Sequence, residues 1–327
     1  MQYTIRHVTR FVYDAPITES VMEARVQPRS EGPQRCVRFS LSTTPMTRVR
    51  MYQDHDGNIV HHFNIPGRLS RLTVVADALV ECEPAADLPE SLAKGAWERL
   101  DSATSTGAFW ELLYPSPFAR PTARLDNFGR ELELARGGDP LVTLRRINRE
   151  LFERLTYSPK STRVDSPIDD ALESRKGVCQ DFTHIMIALV RQLGIPCRYL
   201  SGYLFHQADG AVRSSEGATH AWAEAWLPDV GWIGFDPTNN LEADHRHIRV
   251  AVGRDYADVP PTRGVFKGTT AVRSELSVAV QVGTTNQAPS LASHEVPTHM
   301  PWVSREVPST LPRPDLSQQQ QQQQQQQ

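Results

Sequence analysis

The sequence has few cysteines, no long apolar run and no strong excess of charge of either sign, and each absence excludes a class of protein. Four cysteines in 327 residues are too sparse and too far apart for a secreted disulfide scaffold. No stretch approaches the roughly 18 apolar residues of a membrane helix. The formal net charge of -3 gives no bulk attraction to phosphate backbones or anionic lipids, so we predict neither a nucleic-acid partner nor a membrane. We interpret the cysteines as free thiols: Cys36, Cys82, Cys179 and Cys197.

The N-terminal part has the pattern of β-strands. Polar and apolar side chains alternate through residues 3–13, without the unbroken apolar core of a signal peptide, so we expect a cytoplasmic protein. About six strands in roughly 80 residues predict a β-sandwich-like domain over residues 1–83. Residues 54–58, Asp-His-Asp-Gly-Asn, predict a hairpin turn. The remaining predicted strands are 20–27, 35–43, 46–53, 58–65 and 69–81.

Two segments lack a sustained periodic spacing of apolar residues. In residues 84–138, prolines at 115, 117 and 121 interrupt the apolar stretch, and we predict a linker with short helices. Residues 284–327 combine proline, serine and threonine with ten consecutive glutamines. This composition cannot bury enough apolar surface to become ordered, so we predict a disordered tail.

Residues 139–283 carry helix signals followed by strand signals. Asp139-Pro140 is a helix N-cap followed by proline at the first helical position. Ser166-Pro167 opens a second helix, and a third carries an apolar stripe that ends at Gly194. Strands then resume, the last over residues 276–282. Three helices followed by antiparallel strands predict an α+β core, with the helices packed on the sheet.

Cys179 lies where the third helix begins. A thiol there sits at the positive end of the helix dipole, which favours the nucleophilic thiolate. The thiol also continues the apolar stripe, three residues before Phe182, and should therefore point toward the sheet. A buried structural cysteine is the competing interpretation, because free cysteine is among the most buried residue types.

A hairpin further along the chain supplies candidates for a base and for the group that orients it. If Trp226 pairs with Trp232, then His220 and Asp236 share a face as diagonal neighbours, within reach of an imidazole and a carboxylate. A register shifted by one would place them on opposite faces. The hypothesis therefore requires an odd number of residues in the hairpin loop.

These residues lie in blocks that resemble the bacterial transglutaminase-like superfamily, whose papain-like core carries a Cys-His-Asp triad. The strand-rich first 80 or so residues are similar to the domain that usually precedes this core, and residues 253–261 resemble a segment common downstream of it. The blocks are Gly177-Val178-Cys179-Gln180-Asp181-Phe182-Thr183-His184, Leu193-Gly194-Ile195-Pro196-Cys197, His220-Ala221-Trp222 and Gly234-Phe235-Asp236-Pro237-Thr238-Asn239.

The resemblance implies roles for three residues. Cys179 would be the nucleophile, His220 the general base and acid, and Asp236 the residue that orients the imidazole. The implied reaction is acyl transfer or hydrolysis on a protein or peptide amide through a thioester. Glutamine is a candidate acyl donor, an amine or water is the acceptor, and no cofactor is implied.

Four further residues are candidates for the oxyanion site or the substrate surface. Gln180 and Tyr157 are candidates for a second oxyanion donor beside the amide of Cys179. His184 and Trp222 are candidates for lining the substrate site, with structural packing as the alternative for each.

Two clusters of polar residues raise the question of a metal site. A zinc site built from Cys179, His184 and His220 lacks any Cys-x-x-Cys or His-x-x-x-His pair, so we predict no metal. Residues 244–247 form a polar cluster without ligand spacing, which we interpret as a solvated loop.

Two other functions stay open. A cysteine peptidase or amidase could use the same three residues, since the acceptor alone distinguishes transfer from hydrolysis. A non-catalytic binding module could keep the fold, although the presence of all three residue types argues against it.

Overall fold

A computed structural model gives the fold, described here for residues 1–84, 87–207, 212–214, 217–268, 272–284 and 303–306. The chain combines a strand-rich sheet with a second unit in which helices pack on an antiparallel sheet, which confirms the predicted α+β class. Within the described ranges, no helix is long and apolar enough to cross a membrane.

The first sheet has seven antiparallel strands. Four come from the N-terminal part of the chain and three from its C-terminal part. The strands are β1 (Gln2–Ala24), β2 (Gln34–Thr44), β3 (Val49–Gln53), β4 (Ile59–Cys82), β12 (Thr262–Lys267), β13 (Ser274–Thr284) and β14 (Val303–Glu306). The sheet order is β14-β13-β1-β4-β2, with β12 also paired to β1 and β3 to β4.

Strands β1 and β4 are long, and this corrects the prediction of about six short strands. β1 takes in the predicted strands at 3–13 and 20–27, and β4 those at 58–65 and 69–81. Their pairing is irregular between Val12 and Glu19, so the strands bend there instead of ending. Buried side chains from both sides of the bend form one apolar cluster, and the sheet thereby encloses a core of its own. Phe11, Met22, Phe63 and Leu72 belong to that cluster.

The strands after residue 261 return to the first sheet. β12 pairs with the far end of β1, and β13 pairs with β1 from Tyr13↔Ser274 to Tyr3↔Thr284. We expected residues 139–283 to form one core that included the strand at 276–282. That boundary is corrected, because a strand pattern predicts a strand without specifying the sheet that it joins. The predicted tail lies outside the described residues, apart from Thr284 and β14.

The second unit contains the helices and the remaining strands. The helices are α1 (Ala96–Thr104), α2 (Trp110–Leu113), α3 (Ala123–Glu131), α4 (Pro140–Arg154), α5 (Ile168–Ser174) and α6 (Cys179–Gln192). The strands are β5 (Thr156–Tyr157), β6 (Lys176–Gly177), β7 (Cys197–Leu204), β8 (His220–Leu227), β9 (Gly231–Asp236), β10 (Leu241–Glu242) and β11 (His247–Gly253). The five-stranded sheet has the order β10-β9-β8-β7-β11, and β5 and β6 form a separate parallel pair.

Helix α6 is the centre of this unit. Every residue from Gln180 to Arg191 is buried. Burial therefore extends beyond the predicted apolar stripe and includes the polar side chains of the helix. The helix packs on β8 through Ala221, Ala223 and Ala225, which belong to the same apolar cluster as the helix side chains. Because alanine leaves little bulk between the backbones, the first turn of α6 lies close to the first residues of β8.

The segment predicted as a linker is part of the core. Its three helices are short, as expected, but Leu100, Leu125 and Phe128 are buried in the cluster that also contains the α6 side chains. Arg191 ties the segment further to α6, since its guanidinium donates to the carbonyl of Tyr114 and the hydroxyl of Ser116. The linker interpretation is therefore corrected.

Two side-chain amides join the first sheet to the second. The amide of Gln34 accepts a hydrogen bond from the backbone N–H of Arg249 and donates to its carbonyl. The amide of Asn58 makes the same pair of bonds with Val252. β11 is an edge strand, so these amides take the place of a neighbouring strand and cover polar groups that would otherwise be unpaired.

Candidate active site

Cys179 is the first residue of α6, as the sequence predicted. The residue before it, Val178, is extended, and its backbone N–H donates to Oδ2 of Asp181 at 2.8 Å. The Thr162 hydroxyl donates to the same oxygen at 2.6 Å. These bonds fix the first helical turn and leave Cys179 half-buried. Its own amide N–H lies at the helix N-terminus, where no carbonyl one turn earlier can accept it.

The hairpin between β8 and β9 has the predicted register. Trp226 pairs with Trp232, and residues 228–230 form a loop with the required odd number of residues. The register brings His220 and Asp236 together, with Nε2 of the imidazole 2.7 Å from Oδ2 of the carboxylate.

The pair is shielded from solvent, with His220 4% exposed and Asp236 0% exposed. Burial alone lowers the pKa of His220, but the charge and hydrogen bond of Asp236, followed by those of Cys179, raise it to about 10. Burial raises the pKa of Asp236, yet His220 and His247 hold it well below its ordinary value. Near neutral pH the pair is therefore an imidazolium and a carboxylate. Because Nε2 faces Asp236, Nδ1 is the ring nitrogen left for Cys179.

Backbone and amide donors hold the Asp236 carboxylate in place. Oδ1 accepts from the backbone N–H groups of Thr238 and Asn239 at 3.1 and 3.3 Å. Oδ2 accepts from Nδ2 of Asn239 at 2.7 Å. The oxygen of the Asn239 amide accepts in turn from the backbone N–H groups of Arg213 and Ser214. One asparagine thus connects the carboxylate to the segment that leads toward His220.

A second histidine contacts the same carboxylate, and sequence reasoning missed it. His247 lies in the segment interpreted as a solvated loop, but it is the first residue of β11 and is 4% exposed. Its Nε2 is 3.3 Å from Oδ2 of Asp236. The signal that could have revealed it is the alternation at the start of β11, where His247 and Arg249 flank the buried Ile248.

The other three thiols are in environments that keep them protonated. Burial raises the pKa of Cys82 to about 11 and that of Cys197 to about 12, and it raises the pKa of Cys36 as well. All four cysteines are free, as predicted. Only Cys179 among them lies beside a histidine that bears a positive charge near neutral pH.

The two candidates for a second oxyanion donor lie near Cys179 along the backbone, but their settings differ. Gln180 is buried, and its side chain donates to the carbonyl of Val164 at 2.9 Å, so it is already engaged. Tyr157 is half-buried in β5 and pairs with Gly177, two residues before Cys179. The Gln180 side chain is therefore bonded to Val164, and the backbone of Tyr157 lies beside the strand that leads to Cys179.

The two candidates for lining the substrate site are corrected by their burial. The His184 ring stacks on Phe118 at 5.2 Å, its Nε2 accepts the backbone N–H of Tyr256, and burial lowers its pKa to about 3. Trp222 is 0% exposed and stacks beside His220 at 6.0 Å. Both therefore support the fold of the site and present no surface to a substrate.

One group of metal-ligating residue types occurs among the described residues, and it differs from the set of Cys179, His184 and His220. The donor atoms of His220, Asp236 and His247 lie within 4.8 Å of one another. The 2.7 Å contact between His220 and Asp236 requires a proton between the two atoms, and a bound metal would displace that proton. The group therefore fits a hydrogen-bond network better than a metal centre.

Two family models match the chain. The model of the transglutaminase-like superfamily matches residues 132–237, and that of the bacterial transglutaminase-like N-terminal region matches residues 3–81. An uncharacterized protein of Mycobacterium leprae is 36% identical over 277 residues, which span 84% of this chain and 96% of that protein. A protein-glutamine gamma-glutamyltransferase of Pseudomonas aeruginosa is 34% identical over 133 residues, 38% of this chain and 20% of the relative.

A solved structure supports the fold over most of the chain. The crystal structure of a candidate cysteine protease from Cytophaga hutchinsonii superposes with a TM-score of 0.65 and 19% sequence identity, covering 89% of this chain and 94% of that one. The matched segments contain the first sheet's N-terminal strands and all three residues of the Cys179, His220 and Asp236 group. The chain belongs to the transglutaminase-like superfamily and carries the N-terminal region of its bacterial members.

Proposed function

We propose that this protein is a thiol enzyme that transfers the acyl group of a protein or peptide amide through a thioester on Cys179. The observation that carries the proposal is the charged pair of His220 and Asp236, buried beside a thiol at a helix N-terminus. An imidazolium at that position stabilises a neighbouring thiolate, which is the nucleophilic form of cysteine.

In the first half of the reaction the Cys179 thiolate attacks the amide carbonyl carbon. A carbon–sulfur bond forms, and the carbonyl oxygen becomes an oxyanion that the N–H of Cys179 can stabilise. The His220 imidazolium gives its proton from Nδ1 to the amide nitrogen, the carbon–nitrogen bond breaks, and ammonia or an amine leaves. The enzyme then holds a thioester and a neutral imidazole.

In the second half an amine or water attacks the thioester. Neutral His220 takes the proton from the attacking nitrogen or oxygen, and the carbon–sulfur bond breaks to return the thiolate. An amine yields a new amide, and water yields a carboxylic acid. Asp236 keeps the imidazole oriented through both halves.

Glutamine is the acyl donor that we propose to test first, on the strength of the Pseudomonas aeruginosa relative's name. A glutamine peptide is incubated with and without a primary amine, and ammonia and peptide mass are followed. We expect ammonia release, with amine incorporation or a +1 Da acid product. The Cys179→Ser variant serves as the control. Cleavage of backbone bonds without either product would favour the peptidase alternative, and no reaction with a panel of glutamine peptides would contradict the glutamine proposal.

A further inference from the structure

His247 belongs to the network around Asp236, and the reaction above does not use it. Oδ2 of Asp236 is approached by three nitrogens: Nε2 of His220 at 2.7 Å, Nδ2 of Asn239 at 2.7 Å and Nε2 of His247 at 3.3 Å. A carboxylate oxygen that accepts several hydrogen bonds spreads its negative charge over all of them. His247 therefore competes with His220 for the same oxygen.

The ring of His247 is held in this position from its other side. Its Nδ1 lies 3.1 Å from the backbone N–H of Asp244 and 3.2 Å from Oδ1 of that residue. The ring also meets Trp222 edge-on at 5.3 Å, and Trp222 stacks beside His220. A carboxylate oxygen can only accept a hydrogen bond, so Nε2 of His247 carries the hydrogen that it donates to Asp236.

We propose that His247 is a positioning residue for Asp236. Its Nε2–H donates a hydrogen bond that holds the carboxylate in place and weakens the hydrogen bond between Asp236 and His220. As a result, His220 releases its proton to the leaving amine. The expected effect of His247 on catalysis rests on the proposed function. The hydrogen bond itself is a property of the fold and is testable without turnover.

The charged and titratable groups around His247 come from four elements. Asp236 ends β9 and His220 begins β8, while Asp244 and Arg246 precede β11. Arg246 forms an ion pair with Asp244, and Tyr3 of β1 lies near both of these residues. A variant that changes the charge of Asp244 or Arg246 would shift the pKa of His220 through space. The test variant must therefore be made at His247 and must be neutral.

Asparagine and glutamine at position 247 form a matched pair for this test. Both are uncharged amides, but the glutamine nitrogen reaches about as far as Nε2 of histidine, whereas the asparagine nitrogen stops one carbon earlier. His247→Gln therefore keeps the donor to Asp236, and His247→Asn removes it.

The measurement is an NMR titration of the His220 ring in the full chain labelled with ¹³C-histidine. A Cys179→Ser background removes the thiolate, which also raises the pKa of the imidazole, and the signal that disappears in His220→Gln identifies the ring. We expect His247→Asn to raise the proton affinity of His220 about threefold to tenfold, and His247→Gln to leave it within about twofold. An unchanged midpoint in His247→Asn, or equal shifts in both variants, would overturn the proposal.

A kinetic comparison separates this inference from the proposed function. With an active glutamine peptide, His247→Asn should lower kcat about tenfold with KM nearly unchanged, and His247→Gln should restore most of kcat. Equal losses in the two variants would overturn the positioning role. If the wild-type protein has no transfer or hydrolysis activity, the proposed function fails, while the titration still decides whether His247 acts on Asp236.

Discussion

A residue count does not distinguish the four cysteines, but the surroundings of their thiols differ. Cys82 and Cys197 are buried among apolar side chains, and burial keeps both protonated. Cys179 instead lies at the start of a helix beside His220, whose charge is maintained by Asp236. The Asp236 carboxylate therefore acts on the Cys179 thiol indirectly, because it sets the charge of His220.

Removing that carboxylate charge should reverse the protonation of His220. In Asp236→Asn the effect of burial dominates, so the pKa of His220 should fall from about 10 to below 7. The imidazole is then neutral near pH 7, and alkylation of Cys179 at that pH should slow about tenfold or more. Histidine NMR and iodoacetamide labelling measure the two effects. Asp229→Asn, at an exposed ion pair with Arg99 on the hairpin loop, should leave both unchanged.

A buried neutral histidine should make the fold sensitive to acid. The pKa of His184 is lowered from its ordinary value of 6.5 to about 3, so between these pH values the unfolded state binds more protons than the folded state. The free energy of unfolding should therefore fall as the pH falls through this window, by up to about 1.4 kcal/mol per pH unit for this residue. Urea unfolding of His184→Gln should show a shallower dependence on pH. An identical slope in both proteins would contradict this assignment.

At the scale of elements, helix α6 and the β8–β9 hairpin carry the three residues of the site, and both follow from local sequence. The start of α6 at Cys179, the stripe that ends at Gly194 and the hairpin loop with an odd number of residues are all short-range features. His247 is brought to Asp236 by the pairing of β11 with β7, a contact between segments more than 40 residues apart. Such pairings depend on which strand edges remain available, and no local pattern specifies them.

The amides that cover the edge of β11 should contribute strongly to stability. Asn58 is 0% exposed and makes both a donor and an acceptor bond with Val252, so Asn58→Ala leaves two backbone groups unpaired. We expect a loss of about 2 to 4 kcal/mol in the free energy of unfolding, measured in urea. Asn64→Ala is the matched control, because Asn64 lies on β4 just after Asn58 and is exposed, and it should cost less than about 0.5 kcal/mol.

At the scale of the whole molecule, the first sheet contains both ends of the described chain. β13 lies along one side of β1, and β4 lies along the other. The strands predicted at 3–13 and 276–282 lie within β1 and β13, but the local patterns could not predict that the chain returns to its first strand after the core. The N-terminal region is therefore completed by residues that follow the candidate active site.

Deletion of C-terminal residues should show that the first sheet depends on β13. Deletion of residues 274–327 removes β13 and leaves one edge of β1 unpaired, so we expect loss of the cooperative unfolding transition and aggregation. Deletion of residues 307–327 leaves every described strand intact and should preserve the transition. Calorimetry of the two proteins makes the comparison, and equal stability in both would contradict the role assigned to β13.

The most direct test of an activated thiol at Cys179 is the rate at which iodoacetamide alkylates each cysteine of the folded protein at pH 7, followed by peptide mass spectrometry. Cys36, which is also half-buried, is the internal reference. We expect Cys179 to react about tenfold or more faster than Cys36, and His220→Gln to abolish this advantage. Equal rates at Cys179 and Cys36, or a Cys179 rate that is unchanged in His220→Gln, would contradict an activated thiol at this site.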